Sequence, residues 1–190
     1  MRYQRPEPRE RTAYHEAGHA VVGYLLGWQV SYMSIQANTS YHGYTAFIEP
    51  RPPHRHAILL GIVTFDLATG PQPTEEDLPD LLTRGLAGIV AERYLYAHRG
   101  VSARPVRLGR DTREARAGVK GYPKERQREL LAAAEQHAGQ LLMVPEHWRA
   151  VDVLAHALLA AESLSGSEVW HLLTQTLDRS SGQASSLPRP

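Results

Sequence analysis

The stretch TAYHEAGHAVVGYLLG, residues 12–27, carries two histidines and a glutamate within an otherwise apolar segment. His15 and His19 are four residues apart, so on an α-helix they share one face and can direct two imidazole nitrogens at one point. Neutral imidazole is a good zinc donor, at about 2.0–2.1 Å. Glu16 is rotated by about 100° from His15, so its carboxylate misses the metal and reaches a water beside it. The spacing therefore predicts His15 and His19 as zinc ligands and Glu16 as a general base.

Chance is the alternative explanation of this His-Glu-x-x-His pattern. The 190 residues include ten histidines, and the pattern is expected in about 4% of shuffled versions of the sequence. A single histidine on an apolar helix face is usually a core residue, but two with a glutamate between them are harder to dismiss. Gly18, between the histidines, costs about 1 kcal/mol of helix propensity relative to alanine. A purely structural helix has little reason to bear that cost between two histidines. Ala13, Ala17, Gly18 and Ala20 are all small, so other backbone is also expected to approach closely here.

A catalytic zinc site needs a third protein ligand, with the fourth position left for water. The chain has no cysteine, which excludes a thiolate ligand and fits a reducing, cytoplasmic compartment. No histidine or glutamate follows closely enough to complete the site from the same helix. The third ligand must therefore come from distant sequence.

The bulk composition describes an ordinary globular domain. Of the 190 residues, 42% are hydrophobic and 22% are charged, with a formal net charge of +1. That balance gives no electrostatic reason to bind nucleic acid or an anionic bilayer. The apolar run AILLGIVTF is too short to span a membrane, and MRYQRPEPRERTAY lacks the apolar stretch of a signal peptide. We therefore expect one domain, no nucleic-acid partner and no membrane partner.

The hydropathy pattern predicts a predominantly α-helical α+β domain with a small antiparallel sheet after the first helix. That helix is expected from about Glu10 to Leu26, with Thr12 as its N-cap. Two strands are expected, at 30–36 and 41–50. Further helices are expected at 54–70, 74–98, 110–120, 123–143, 145–163 and 165–177.

The ordered set of these segments resembles the zinc peptidase domain of the membrane-anchored AAA proteases of the FtsH type. YHEAGHAVVGYLL resembles the zinc helix of that family, and VSYMSIQANTSYHGYTAFIEP resembles the strand pair that follows it. LAGIVAERYLY is similar to the family's Gly-Arg-x-Ala-Glu-Glu segment, and GRDTREARAG to the segment that supplies an aspartate ligand. The resemblance implies a zinc peptidase-like domain at 10–177, preceded by an N-terminal arm at 1–9. The Ser-, Gly- and Pro-rich composition of 178–190 predicts a flexible tail.

The resemblance implies a role for each matching residue. His15, His19 and Asp111 would be the zinc ligands, and Glu16 the general base. Glu92 would orient a ligand histidine. Without the resemblance, Asp111 reads more simply as an N-cap or first-turn acid, and Glu92 reads equally well as a surface partner of an arginine.

The second predicted strand is a candidate substrate site. An extended peptide could add to its edge by main-chain hydrogen bonds, and we expect Gly43, Tyr44 and Thr45 to contact the substrate there. The alternative is a sheet edge that only covers the core. The 190 residues contain no GxxxxGK[ST] phosphate loop, so ATP-driven unfolding is not expected of this chain itself.

The leading functional hypothesis is a Zn²⁺-dependent endopeptidase that cleaves a peptide or an unfolded protein without using ATP itself. A separate ATP-driven unfoldase and a homo-oligomer are open as partners. One alternative is a zinc-stabilised, catalytically inactive interaction or adaptor domain derived from the peptidase fold. That alternative leaves Glu16 unexplained, because a structural zinc site closes its fourth position with protein. A metal-free helical adaptor, with an accidental motif, is a further alternative.

Overall fold

The computed structural model describes residues 5–37, 43–48, 77–102 and 109–183. Within these ranges the chain forms six helices and one three-stranded sheet, which confirms the predominantly helical α+β class. The elements in chain order are α1 Pro8–Leu25, β1 Gln29–Ser34, β2 Tyr44–Ile48, α2 Leu78–His98, α3 Arg110–Gly118, α4 Lys124–Met143, α5 Pro145–Ala161, β3 Ser163–Ser165 and α6 Gly166–Gln183.

Helix α1 begins earlier than the sequence pattern predicts. Pro8 opens the helix, a position where its missing N–H costs nothing. Thr12 is therefore one turn inside the helix, and its hydroxyl donates to the Pro8 carbonyl at 3.0 Å. The N-cap assigned to Thr12 was wrong. Gly27 follows the helix with a φ of 85°, as expected of a glycine that stops a helix.

The sheet is antiparallel in the order β2-β1-β3. Ser34 in β1 pairs with Tyr44 on one side and with Ser163 on the other. The register of β1 against β2 shifts between Val30 and Tyr32, as at a β-bulge. Strand β3 was not predicted, and it places the last two helices beside the first hairpin. Strand β2 lies at one edge of the described sheet.

Helix α6 begins with a capping box. The Glu168 carboxylate accepts hydrogen bonds from the backbone N–H and the hydroxyl of Ser165, at 2.8 and 2.6 Å. The helix ends at Gln183, beyond the predicted end at 177. The first part of the predicted tail, 178–190, is thus helical backbone, and its last seven residues lie outside the described ranges.

Helices α1 and α2 pack closely because small residues meet between them. A Cβ on Gly18 would lie 2.5 Å from the Ala91 Cβ and 2.9 Å from the Ala87 carbonyl oxygen. Such distances are shorter than real Cβ contacts, so any side chain at this position would force the helices apart. The close approach of backbone expected at these small residues is thus present, and it gives Gly18 a packing reason.

The buried apolar residues form two clusters, both of which include residues of α2. The main core lies around α1, β1, α5 and α6, and its members include Ala13, Ala17, Val21, Met33, Ala87, Val90, Ala91, Val151, Leu154 and Leu158. The small core lies between α2, α3 and α4 and consists of Leu78, Leu82, Leu86, Ile89, Ala115, Val119 and Ala134.

Some predictions fall on residues that the structure does not describe. The predicted helix at 54–70 is one of them, and so is Thr74, the predicted start of the following helix. Helix α2 begins at Leu78 with Pro79 in its first turn, so this proline does not split the helix. Within the described ranges, no helix has both the length and the apolar character needed to cross a membrane.

Candidate metal centre

Three side chains converge on one point between α1 and α3. His15 Nε2 lies 2.8 Å from Asp111 Oδ2 and 3.1 Å from His19 Nε2, and His19 Nε2 lies 3.7 Å from the same carboxylate oxygen. The edges of a zinc tetrahedron with bonds of 2.0–2.1 Å measure about 3.3 Å. The triangle of ligand atoms is therefore of the size that a zinc ion needs.

The fold brings these side chains from distant parts of the chain. His15 and His19 are one turn apart on α1, and Asp111 is in the first turn of α3. The side chains of the two histidines and the aspartate are 17%, 12% and 24% exposed. The three side chains are thus largely, but not fully, shielded from solvent.

The outer nitrogens of both imidazoles have fixed partners. His19 Nδ1 lies 2.8 Å from the Arg84 carbonyl oxygen, and His15 Nδ1 lies 2.7 Å from Glu92 Oε1. Both partners only accept, so each Nδ1 carries the proton and donates it. In the neutral rings both Nε2 lone pairs then face Asp111 Oδ2, as in many metal-bound histidines. Three electron-rich atoms around one point fit a cation.

The pKa values at this point also favour positive charge. Burial lowers the pKa of His15, but hydrogen bonds with Asp111 and Glu92 outweigh it, and the pKa lies well above the ordinary value. Burial raises the pKa of Asp111, but the adjacent imidazoles of His15 and His19 hold it far below its usual range. Both shifts favour a positive charge between His15 and Asp111.

Glu92, on α2, has both of the contacts that the sequence left as alternatives. One carboxylate oxygen accepts from His15, as described above, and the other lies 3.5 Å from the Arg11 guanidinium Nε. The Glu92 side chain is only 15% exposed, whereas that of Arg11 is 46% exposed. The contact between Glu92 and His15 is thus both shorter and less exposed to solvent than the contact between Glu92 and Arg11.

Glu16 lies beside the triangle without being part of it. It is 5% exposed, and its Oε2 accepts a hydrogen bond from the Thr45 hydroxyl at 2.8 Å. Burial raises the pKa of Glu16, while the charges of His15 and His19 and the hydrogen bond from Thr45 lower it, and the net shift is upward. A raised pKa is the direction expected of a carboxylate that accepts and releases a proton near neutrality.

The three residues predicted to contact substrate are half-buried along the start of β2. Thr45 faces Glu16. A Cβ on Gly43 would lie 2.9 Å from Glu16 Oε1, so Gly43 also adjoins this carboxylate. The ring of Tyr44 packs against Tyr32, with centroids 5.5 Å apart. Their described contacts are thus within the protein, and contact with a substrate stays a prediction.

Gly88 on α2 is a site residue that the sequence analysis missed. A Cβ there would lie 2.5 Å from His19 Nε2 and 2.6 Å from His15 Nε2. Only glycine leaves the imidazoles where they are. The spacing could have revealed it, because Gly88 precedes Glu92 by four residues and so shares its helix face.

Arg84 was missed as well. Its backbone carbonyl holds His19, and its buried guanidinium lies over the rings of Trp28 and Phe47, 4.2 and 4.4 Å from their centroids. Burial lowers the pKa of Arg84 to about 10. The cation–π contacts join α2 to the segment after α1 and to β2. A backbone acceptor leaves no trace in residue type, so the sequence held no signal for its contact with His19.

Two imidazoles and one carboxylate oxygen around a point, beside a further buried carboxylate, form a donor set that zinc hydrolases use. Comparison with known proteins points the same way. The chain is 30% identical over 189 residues to the ATP-dependent zinc metalloprotease FtsH 3 of Symbiobacterium thermophilum, an alignment that covers 87% of this chain. It is 25% identical over 206 residues to the ATP-dependent zinc metalloprotease FtsH of Marinobacter nauticus, with 92% covered.

The similarity is weak, but it extends over most of this chain and agrees with an FtsH-related domain. The chain spans 30% of the length of each of these two relatives. No protein-family model matches the sequence.

Proposed function

We propose that this protein is a zinc-dependent peptidase that cleaves internal peptide bonds, with Glu16 as its general base and without using ATP itself. One observation carries the proposal. The inward nitrogens of His15 and His19 meet Asp111 Oδ2 at 2.8 and 3.7 Å, directly beside a buried carboxylate that is not part of the triangle. The distant similarity to two zinc metalloproteases supports a peptidase-like origin.

The donor set decides which metal fits. Two imidazole nitrogens and one carboxylate oxygen suit a borderline ion such as zinc better than the hard ions calcium and magnesium, which prefer all-oxygen sites. His15, His19 and Asp111 would hold the ion. When bound, zinc acts as a Lewis acid that lowers the pKa of a water towards 7 and polarises a carbonyl oxygen.

The chain's own residues would carry the proton. Glu16 accepts a proton from the water that attacks the carbonyl carbon of the peptide, and it gives the proton to the leaving amine nitrogen as the C–N bond breaks. Its raised pKa favours the uptake. Glu92 and the Arg84 carbonyl hold the two imidazoles in one tautomer throughout.

We further propose that the substrate is a peptide or an unfolded segment of a protein. Strand β2 lies at an edge of the described sheet, where an extended chain can add a further strand through main-chain hydrogen bonds. A separate ATP-driven unfoldase, a second copy of this chain and a cytoplasmic location belong to the same proposal. They rest on the resemblance and the composition alone.

The test compares the wild type with Glu16→Gln. Zinc is measured by elemental analysis, folding by circular dichroism, and cleavage with a peptide library. We expect Glu16→Gln to keep zinc and fold but to lose cleavage by about 10²- to 10⁴-fold, the usual contribution of a general base. Glu135→Gln is the matched control, because Glu135 forms a half-exposed ion pair with Arg93 on α2.

The outcomes separate the hypotheses. A wild type that holds zinc but cleaves nothing would leave the inactive, zinc-stabilised domain as the better explanation. A sample that neither contains zinc nor takes it up would contradict both. Cleavage that survives Glu16→Gln would remove Glu16 from the reaction.

A further inference from the structure

Strand β2 contacts the general base through a single hydroxyl. Thr45 Oγ1 lies 2.8 Å from Glu16 Oε2 and 3.1 Å from the Glu16 backbone carbonyl. A hydroxyl has one proton to donate. The carboxylate oxygen is both nearer and charged, and hydrogen bonds to charged acceptors are about twice as strong as neutral ones. The Thr45 hydroxyl therefore donates its hydrogen bond to Glu16 Oε2 rather than to the backbone carbonyl.

Gly43 allows the strand to approach this closely. A Cβ at this position would lie 2.6 Å from Thr12 Cγ2 and 2.9 Å from Glu16 Oε1. Any side chain here would push either β2 away from α1 or the carboxylate out of its place. The two carboxylate oxygens thus have different neighbours on this side: Oε2 accepts a hydrogen bond from Thr45, while Oε1 lies next to Gly43.

The position of Thr45 does not depend on its own contact with Glu16. In the ladder between β1 and β2, Thr45 is opposite Met33, which is fully buried. Met33 is in turn opposite Leu164 of β3. The hydroxyl is therefore presented by a strand that is fixed in register, as positioning groups in active sites usually are.

We propose that Thr45 is a positioning residue for the general base rather than a contact to substrate. By holding Oε2, it leaves Oε1 as the oxygen that takes up the proton, and Gly43 provides the space for this arrangement. The inference rests on the proposed function, and it reassigns Thr45 and Gly43 from the substrate-contact role predicted from the sequence.

Three roles for Thr45 make different predictions. A contact to substrate would change KM. A purely structural hydroxyl would change stability whether or not Glu16 is present. A positioning role changes kcat with little effect on KM, and its effect on stability becomes smaller when the Glu16 carboxylate is removed.

The experiment uses Thr45→Val, which keeps the shape and removes the hydroxyl, and Thr45→Ser, which keeps the hydroxyl. Kinetics are measured on the library peptide that the wild type cleaves best. We expect Thr45→Val to lower kcat about 10-fold or more, as for a lost hydrogen bond to a charged group, with KM and zinc content unchanged. Thr45→Ser should restore most of kcat. Thr83→Val is the control, because it removes another buried hydroxyl, which bonds within α2 at 2.7 Å.

A second readout does not depend on activity. The urea midpoints of the wild type, Thr45→Val, Glu16→Ala and the double variant form a thermodynamic cycle. Thr45→Val should lower the midpoint clearly more in the wild type than in the Glu16→Ala background, where the Thr45 hydroxyl keeps only the backbone carbonyl of residue 16 as its acceptor. Equal shifts in both backgrounds, or a Thr45→Val enzyme with unchanged kcat, would overturn the inference while leaving the peptidase proposal intact. A wild type that cleaves no peptide would overturn the proposed function, and the positioning role with it.

Discussion

The two ligand histidines are oriented by acceptors of different kinds. The acceptor of His19 is the Arg84 backbone carbonyl in the second turn of α2, which no side-chain substitution removes. The acceptor of His15 is the Glu92 carboxylate, which can be removed without changing the backbone. The orientation of His15 is therefore the one that mutagenesis can test directly.

We expect Glu92→Ala to weaken zinc binding by about 10- to 100-fold, the usual effect of removing the partner that orients a ligand histidine. The His15 ring would be free to rotate, and its Nε2 would lose basicity. Zinc affinity is measured by competition with a chromogenic chelator. Glu135→Ala serves as the control, because its exposed ion pair with Arg93 contributes little. Equal affinities in the two variants would mean that Glu92 does not orient His15.

The residues of the site differ in how far the sequence could predict them. Helical spacing alone predicted that His15 and His19 lie side by side with Glu16 next to them, because all three lie within about one turn, while their roles stay predictions. Asp111 came only from the family resemblance, since a first-turn acid is ordinary and its approach to α1 depends on tertiary packing. Thr45 was assigned to the substrate, because nothing in its neighbourhood along the chain indicates that β2 folds back onto Glu16.

At the scale of elements, the site depends on how closely α1 and α2 approach each other. Gly18 on α1 and Gly88 on α2 both face the partner helix at positions that no side chain could occupy. Gly18 admits Ala91 and the backbone of Ala87, and Gly88 admits the imidazole rings. The two glycines thus have separate effects: Gly18 lets the helices pack closely, and Gly88 leaves space between them for the imidazoles of His15 and His19.

Gly88→Ala tests this packing, with Gly85→Ala as a matched control three residues earlier on the same helix. Both changes raise helix propensity by about 1 kcal/mol, but a Cβ on Gly85 meets nothing within 4 Å. We expect Gly85→Ala to stabilise the protein and leave zinc binding unchanged. Gly88→Ala should displace both imidazoles and weaken zinc binding at least 10-fold, measured by the same chelator competition. Unchanged zinc affinity in Gly88→Ala would show that the rings can move without consequence.

Element boundaries were predicted best where long periodic segments occur. Helix α4 agrees with its predicted range to within one residue, whereas α1 begins two residues early because Pro8 can open a helix. Strand β3 has only three residues, too few for an alternating pattern to be detected. Strand β3 forms because the free edge of β1 is available to pair with residues 163–165. That pairing depends on the tertiary fold and not on the local sequence of these three residues.

At the scale of the molecule, the candidate metal centre joins the two apolar cores. Helix α1, with both histidines, packs in the main core, while α3 contributes Ala115 to the small core. Helix α3 has only nine residues, of which Ala115 and Gly118 are buried. A helix this short is marginal by itself, so α3 depends on its few apolar contacts and on the link from Asp111 to His15.

Metal removal should therefore loosen α3 before the rest of the molecule. Zinc stabilises the state that binds it by mass action, by about 4 kcal/mol when free zinc is 1,000-fold above Kd, and α3 has the least other support. We expect hydrogen exchange, followed by mass spectrometry, to become faster across Arg110–Gly118 after chelation. Exchange across Pro145–Ala161, which belongs to the main core, should change little. The faster exchange should return to its original rate when zinc is added back. In Asp111→Asn, chelation should not change the exchange rate of α3, because the link from residue 111 to the metal is already missing. Equal changes in both helices, or none, would mean that Asp111 does not hold α3 through a metal ion.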